Sequence, residues 1–278
     1  MANGGPRKPV SAVRSATRIL KAFSIAEPEL GVTDLARRLG LSKSGVHHLL
    51  ATLAEEQMVE RDPVSRRYRL SIKMFELGTR VAISGQLHEA ATLPLDHLHF
   101  STAATVQIGI LDGAEVVYVE RRESQATLRT FGTVGRRNVA HATSTGKVLL
   151  AFLPPDELLA RIANRPLAAL TPHTITRLPV LLDQLREARR RGYAEQVEES
   201  SLGVASVAAP IRDDSGRVVA AISMARPVAG LSPTVRRRHA AATVEAAGQI
   251  SERLGYRPPA ARTRARASLT ADDSASMS

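Results

Sequence analysis

The 278-residue chain contains no cysteine, and this absence excludes several kinds of site. Disulfide bridges, thiol nucleophiles and zinc sites built on thiolates all need cysteine, so the chain cannot form them. A chain without disulfides is also typical of a reducing compartment. The amino-terminal segment lacks the apolar run of a signal peptide, and no stretch is long enough to span a membrane. We therefore expect a cytoplasmic protein that has no membrane partner.

Aromatic residues are also scarce, since Phe, Trp and Tyr make up only 3% of the chain. Binding of single-stranded nucleic acid by base stacking needs such side chains and is therefore disfavoured. The charge is large and uneven: the formal net charge is +11, and residues 1–80 hold 14 Lys and Arg against eight Asp and Glu. This excess indicates a polyanionic partner for the amino-terminal part. A basic charge would also suit a membrane surface, but the sequence has no long basic amphipathic helix with aromatic residues.

Residues 32–58 have the pattern of two short helices joined by a tight turn at Gly40. Thr33 and Ser42 are the residue types that cap helices, and we expect each to begin one helix. The second helix would bury one apolar stripe and expose small polar and basic side chains, as a recognition helix in a major groove does. The candidate DNA-contacting residues of this motif are Thr33, Ser42, Lys43, Ser44, His47, His48 and Thr52.

A basic β-hairpin is predicted directly after this motif, over residues 59–70. Its returning strand carries Arg66, Arg67 and Arg69, which are candidates for contacts to DNA phosphates. Apolar residues also recur at helical spacing over residues 11–23. Three helices followed by a basic hairpin is the order of a winged helix-turn-helix, which residues 10–72 would form. An ordinary αα-hairpin is the alternative, and the basic hairpin argues against it.

Residues 73–91 predict a linker helix between this domain and the rest of the chain. Its apolar residues Phe75, Leu77 and Val81 are candidates for a dimer contact. The two tails, residues 1–9 and 257–278, are expected to be disordered; the second is rich in Ala, Arg, Ser and Thr with few large apolar groups.

Residues 92–256 predict a second domain, of the α+β class. Two pairs of β-rich segments each carry a turn signal, at residues 112–114 and 213–216. Helical patterns lie between and after the two pairs. This order predicts helices packed around one antiparallel sheet.

Five segments, taken in order, resemble the IclR family of bacterial transcriptional regulators. They are VTDLARRLGLSKSGVHHLLATL, ILDGAEVVYVER, HATSTGKVLLAFL, GYAEQVEESSLGVASVAAPI and GRVVAAISMARP. The resemblance runs from about Val10 to Tyr256. It implies an α+β chain in which a winged helix-turn-helix is joined by a linker helix to a GAF/PAS-like effector-binding domain with an antiparallel sheet. It also implies homodimers, or dimers of dimers, on palindromic operators in double-stranded DNA.

The resemblance also implies where a small effector would bind. By position in the family, the pocket is lined by the loop at residues 141–147, by the turn before the penultimate hairpin and by that hairpin. Small hydroxyl and amide groups donate hydrogen bonds to a carboxylate, so they suit an organic or aromatic acid. Gln196 stands where some relatives have an acidic residue, and Ala225 where some have serine. The implied effector-binding residues are Leu128, Thr130, Ser144, Thr145, Gln196, Ser206 and Ser223.

Enzymatic and metal-binding alternatives have weaker support. Residues 144–147 fit the S-x-x-K nucleophile motif, but its usual K-T-G and S-D-N partners are absent. His97 and His99 lack a third ligand at a fixed spacing, and the adjacent His47 and His48 point apart on one helix. No catalytic residue, metal site or cofactor is predicted.

We therefore predict a DNA-binding regulator of a catabolic or metabolic operon that responds to a small organic or aromatic acid. The alternative is a DNA-binding protein whose second domain is a hydrolase-like enzyme or an oligomerising scaffold.

Overall fold

A computed structural model describes residues 10–24, 26–79, 82–124, 134–163 and 165–258 of the chain. These residues fall into two compact units, which divide between Gly85 and Gln86. The first expected tail, all but two residues of the second, and the predicted site residues Leu128 and Thr130 lie outside the described ranges, as does Val81 of the predicted linker.

The first unit is a winged helix-turn-helix, as predicted. Three helices and a two-stranded antiparallel sheet share one core, in which Ile19, Leu35, Val46, Leu50 and Tyr68 are almost fully buried. Each helix contributes the apolar stripe that its sequence pattern indicated. The elements in chain order are α1 (Ser11–Leu20), α2 (Val32–Leu39), α3 (Lys43–Glu55), β1 (Val59–Arg61), β2 (Tyr68–Leu70) and α4 (Ile72–Thr79).

The caps of this motif follow the sequence at two positions and depart from it at a third. Gly40 ends α2 with a φ of 64°, a left-handed conformation that glycine adopts without strain. The Ser42 hydroxyl accepts the Gly45 N–H at 3.1 Å and begins α3. Thr33, however, does not cap α2. The helix begins one residue earlier, because the Asp34 carboxylate reaches back to the Gly31 N–H at 3.4 Å.

The second unit is built on a six-stranded, fully antiparallel sheet in the order β5-β4-β3-β8-β7-β6. Both predicted hairpins, β3–β4 and β7–β8, are confirmed, and they join through the central β3–β8 pair. The short strands β5 and β6 were not predicted. The elements are α5 (Ala82–Thr102), β3 (Thr105–Asp112), β4 (Glu115–Arg122), β5 (Arg137–Val139), α6 (Ser144–Ala151), α7 (Pro155–Ile162), α8 (Leu178–Arg191), β6 (Ala194–Val197), β7 (Val204–Arg212), β8 (Val218–Pro227) and α9 (Pro233–Arg253).

Helix α5 differs from the predicted linker helix, which ended at residue 91. The helix continues to Thr102 and passes through Pro94. Its buried residues Leu87, Ala91, Leu95 and Leu98 recur at helical spacing and belong to the core of the second unit. Burial of this stripe offsets the backbone hydrogen bond that Pro94 cannot donate.

The two faces of the sheet are occupied differently, because side chains alternate between the faces along each strand. Large aliphatic residues such as Ile108, Ile211 and Ile222 pack against α5 and α9. The opposite face is covered by α6 and α8. At its centre that face carries small or polar residues, which are Gln107, Gly109, Ser206, Ala208, Ala221 and Ser223.

Helix α6 packs unusually closely on the preceding 3-10 turn, Ala140–Ala142. A Cβ atom on Gly146 would lie only 2.2 Å from the carbonyl oxygen of Ala140. The position therefore requires a glycine for steric reasons alone.

This close approach gives a test of how tightly α6 is held. Gly146→Ala should lower the free energy of unfolding by roughly 1–3 kcal/mol, because the added methyl group overpacks the contact. The measurement is urea unfolding followed by circular dichroism. Gly248→Ala is the matched control, since Gly248 is an exposed residue inside α9 with nothing within 4 Å of the new methyl group. That variant should be more stable by about 0.5–1 kcal/mol. Equal stability of the two variants would contradict the close packing.

Candidate functional site

The exposed side of α3 brings together most of the candidate DNA-contacting residues. Val46, Leu50 and Leu53 bury one stripe of the helix in the core. The opposite faces expose Lys43, Ser44, His47, His48 and Thr52, and Ser42 is exposed at the cap. Thr33 is exposed on α2. No acidic side chain precedes Glu55 in α3, so the exposed surface of its first three turns carries no negative charge toward a polyanion.

The three predicted wing arginines have different surroundings. Arg67 donates to the Asp34 carboxylate at 3.0 Å and to the Glu29 carbonyl at 3.2 Å, so it ties the wing to α2. Arg69 pairs with Glu60 at 2.6 Å. Arg66 is exposed and forms no ion pair within the described ranges. Of the three charges, that of Arg66 is the one left unpaired.

The wing turn is built by Asp62, and sequence analysis missed a fourth arginine beside it. The Asp62 carboxylate accepts the N–H groups of Ser65 at 2.6 Å and Val64 at 3.0 Å, and these bonds lower the pKa of the carboxyl. Arg61 is exposed on β1, with its guanidinium 5.6 Å from the centre of the Tyr68 ring. Residues two apart in a strand share a face, so alternation would place Arg61 on the side of the buried Val59, and the local pattern did not indicate its exposure.

In the second unit, three of the predicted effector residues form one hydrogen-bonded cluster. Ser144 and Ser206 are joined through their hydroxyl oxygens at 2.7 Å. Gln196 donates from Nε2 to Ser206 at 3.1 Å, and its Oε1 accepts the Glu199 N–H at 2.8 Å. We call Ser144, Ser206 and Gln196 the hydroxyl–amide cluster.

Ser223 and Thr145 lie near this cluster without bonding to it. Ser223 pairs in register with Ala208, one row along the same face from Ser206, and is fully buried. Thr145 is buried beside Gly109 and next to Tyr118, a residue that sequence analysis did not select. Burial raises the pKa of the Tyr118 phenol, while a hydrogen bond with Thr145 acts in the opposite direction. The position of Tyr118 on β4 depends on strand pairing, so no local pattern indicated it.

The cluster lies at the amino-terminal end of α6. The Thr143 hydroxyl accepts the Gly146 N–H at 3.0 Å, and the Thr143 carbonyl accepts the Lys147 N–H at 2.9 Å. Within the part of the chain that the structure describes, no acceptor bonds to the N–H groups of Ser144 and Thr145. Free N–H groups at a helix start, together with the positive end of the helix dipole, favour an anion.

The lysine of the S-x-x-K motif is engaged elsewhere. Lys147 is almost fully buried, and its Nζ donates to Glu199 Oε1 at 2.5 Å and to Gln184 Oε1 at 2.7 Å. Burial lowers the pKa of the Lys147 ammonium and raises that of the Glu199 carboxyl. Because the Ser144 hydroxyl bonds to Ser206 rather than to Lys147, these residues do not form a serine–lysine nucleophile pair.

Among the residues that the structure describes, no three His, Asp or Glu side chains come together as a metal site. His99 instead bonds through Nδ1 to the carbonyl of Ala104 at 2.7 Å. In the same residues, no helix has both the length and the apolar composition of a membrane span.

Comparison with known proteins agrees with both units. The chain matches the family model described as IclR helix-turn-helix domain over residues 12–63, and the one described as Bacterial transcriptional regulator IclR C-terminal over residues 79–252. It is 34% identical to the HTH-type transcriptional regulator KdgR of Dickeya chrysanthemi, covering 87% of this chain and 81% of that protein. It is also 34% identical to the HTH-type transcriptional regulator XynR of Escherichia coli, with 89% and 98% covered.

Solved structures show the same architecture. The Thermotoga maritima IclR structure has a TM-score of 0.72 and 29% identity, covering 88% of this chain and 98% of that one. An IclR homolog from Microbacterium hydrocarbonoxydans, complexed with 4-hydroxybenzoate, has a TM-score of 0.80 and 25% identity, with 88% and 99% covered. A matching pair of domain models and full-length relatives leaves one assignment: the chain belongs to the IclR family of bacterial transcriptional regulators.

Proposed function

We propose that this regulator binds a palindromic operator as a dimer and responds to a small organic or aromatic acid from the pathway that its operon encodes. The observation that carries the effector class is the hydroxyl–amide cluster at the start of α6. An enzymatic or purely oligomerising second domain has less support, because Lys147 is paired with Glu199 and the cluster supplies hydrogen-bond donors without a nucleophile–base pair.

The hydrogen-bond directions in the cluster favour a ligand that accepts hydrogen bonds. Gln196 Oε1 accepts a backbone N–H, so its Nε2 must be the group that donates to Ser206. The hydrogen bond between Ser206 and Ser144 uses the hydroxyl hydrogen of one of the two serines, whichever of them donates. The second hydroxyl hydrogen remains for a ligand. Together with the N–H groups at the start of α6, this hydrogen suits a carboxylate.

An acidic residue at position 196 would reverse this pattern. A carboxylate there can only accept, so Ser206 would donate to it and Ser144 would donate to Ser206. No hydroxyl hydrogen would remain for the ligand, and the added negative charge would repel an acid. Gln196 therefore supports an acid effector. The homolog complexed with 4-hydroxybenzoate supports the aromatic subset of that class.

For DNA, we propose that the exposed face of α3 contacts base edges and nearby phosphates in the major groove. Lys43, Ser44, His47, His48 and Thr52 would make these contacts, with Thr33 and Ser42 near the backbone. Arg66 at the wing tip is the foremost phosphate contact, because Arg67 and Arg69 already pair with carboxylates. Phosphate contacts from Arg67 and Arg69 would be weaker, because their carboxylate partners already neutralise part of each positive charge.

The wing assignment predicts a salt-dependent effect that is independent of DNA sequence. Arg66→Ala should weaken binding to a mixed-sequence duplex and reduce the slope of log K against log salt by about 0.9, the value for one lost phosphate contact. Fluorescence anisotropy over a salt series measures both quantities. Arg186→Ala, which removes an exposed arginine of α8, should change neither. An unchanged slope in the Arg66 variant would show that the wing tip does not contact DNA.

Dimerisation is expected because one recognition helix reads too few base pairs for a specific operator. Ile72, Phe75 and Leu77 of α4 are exposed apolar residues, with Phe75 69% accessible, and we propose them as part of the contact. Phe75→Asp should shift the chain toward monomer in sedimentation velocity at micromolar concentration, while Val64→Asp, at another exposed apolar residue, should not. A wild-type monomer, both free and on DNA, would contradict the proposal.

The effector assignment predicts that Gln196→Glu selectively removes the response to acids. Benzoate and 4-hydroxybenzoate should bind the wild-type protein more tightly than benzamide does in calorimetry, and should change operator affinity by about 5- to 150-fold. The variant should lose at least about tenfold in acid affinity, equivalent to 1.4 kcal/mol, and keep its affinity for DNA without ligand. Gln86→Glu is the matched control, because it adds the same charge at an exposed position of α5. Tighter binding of benzamide than of both acids would contradict an acid effector.

A further inference from the structure

A cleft in the second unit lies between helix α8 and the edge strand β6, with a volume of about 450 Å³. One face of α8, including Gln184 and Arg191, forms one wall, and β6 forms the other. Lys147 and Glu199 lie at its buried end. The volume is in the range of pockets that hold small molecules. Ser144 and Ser206 do not line the cleft, whereas Gln196 does, so the cleft borders the hydroxyl–amide cluster through that one residue.

Glu199, which lines the cleft, has one carboxylate oxygen that lacks a donor. Lys147 uses its ammonium on Oε1 of Glu199 and on Gln184. The second oxygen, Oε2 of Glu199, is buried and has no hydrogen-bond partner among the residues that the structure describes, and the whole residue is 7% exposed. An acceptor buried in this way costs free energy until a donor reaches it.

The charges around the cleft balance one another. Three positive groups line it, Lys147, Arg191 and Arg236, and three negative groups, Glu187, Glu195 and Glu199. Arg191 and Arg236 both pair with Glu195, each at 3.2 Å, and both remain partly exposed at the open side. A ligand with a net charge would upset this balance, whereas a molecule with one charge of each sign would not.

We propose that this cleft is a second ligand site and binds a small zwitterion of the α-amino acid class. The ammonium group of the ligand donates to Oε2 of Glu199, and its carboxylate accepts from the guanidinium groups of Arg191 and Arg236. Both contacts are charge-assisted hydrogen bonds, the strong kind. The cleft shares Gln196 with the proposed effector site, and the proposal does not depend on the identity of the acid effector.

The two sites share one structural connection. The Glu199 N–H donates to Gln196 Oε1, and Gln196 Nε2 donates to Ser206 in the hydroxyl–amide cluster. Glu198, between these residues, has a φ of 57°, a left-handed conformation that is strained for a non-glycine residue. A ligand that moves Glu199 therefore also moves the side-chain amide of Gln196, which donates to Ser206 in the proposed effector site. Binding at either site changes the affinity of the other by the same factor.

The test is calorimetric titration of the full chain with L-alanine, L-serine and L-glutamine, beside propionate and ethylamine, which each carry only one of the two charges. We expect at least one amino acid to bind at least about tenfold more tightly than both single-charge analogues. Arg191→Gln and Glu199→Gln should each weaken that binding at least about tenfold. Arg186→Gln, at an exposed residue elsewhere on α8, should leave it unchanged.

Three outcomes would overturn the proposal: no binding of any of the three amino acids up to about 10 mM, ten times a Kd of 1 mM; equal binding of propionate or ethylamine; or unchanged binding in Arg191→Gln. Arg191 is partly exposed, so its replacement decides the question even if Glu199→Gln does not fold. Benzoate and DNA titrations of the same variants report the effector site and the operator contact separately. Failure of the second site is therefore distinguishable from failure of the proposed function.

Discussion

The buried ion pair between Lys147 and Glu199 fixes α6 against the turn that follows β6 in the second unit. Lys147 follows Ser144 by three positions on α6, and Glu199 follows Gln196 by three positions after β6. The pair therefore holds the two sides of the hydroxyl–amide cluster at a fixed separation. Removing two charges from water is costly, and a short contact with a further bond to Gln184 offsets part of that cost. The proposed effector site thus depends on residues that do not themselves belong to the cluster.

Local patterns were sufficient for most of the fold. The helix-turn-helix, the wing and both long hairpins were predicted because their apolar periodicity and turn residues are encoded within about 30 residues. The sequence did not indicate β5 and β6, since strands of three and four residues give too few alternations to recognise. The path of α5 through Pro94 was also missed. Burial of the apolar face of α5 against the sheet compensates for the helix-breaking effect of Pro94, and this burial cannot be recognised from the local sequence.

The sites were less predictable, because their contacts join distant parts of the chain. Ser144 and Ser206 are 62 residues apart, and only family resemblance placed them in one site. The wing arginines are similar in sequence and differ in structure, since the partners of Arg67 lie 33 and 38 residues away, at Asp34 and Glu29. Composition identified a basic segment. Folding decides which of its charges remain available to a phosphate.

The two faces of the central sheet have different tasks: one packs the aliphatic core, and the other lines the proposed effector site. Most of the large aliphatic side chains of the sheet pack against α5 and α9, while the face toward α6 carries small residues such as Ser206, Ala208, Ala221 and Ser223. Exchanges among small side chains on that face change the lining of the proposed effector site and remove little of the buried aliphatic volume. The residues proposed to recognise the effector can therefore be exchanged singly while the aliphatic face that stabilises the fold stays unchanged.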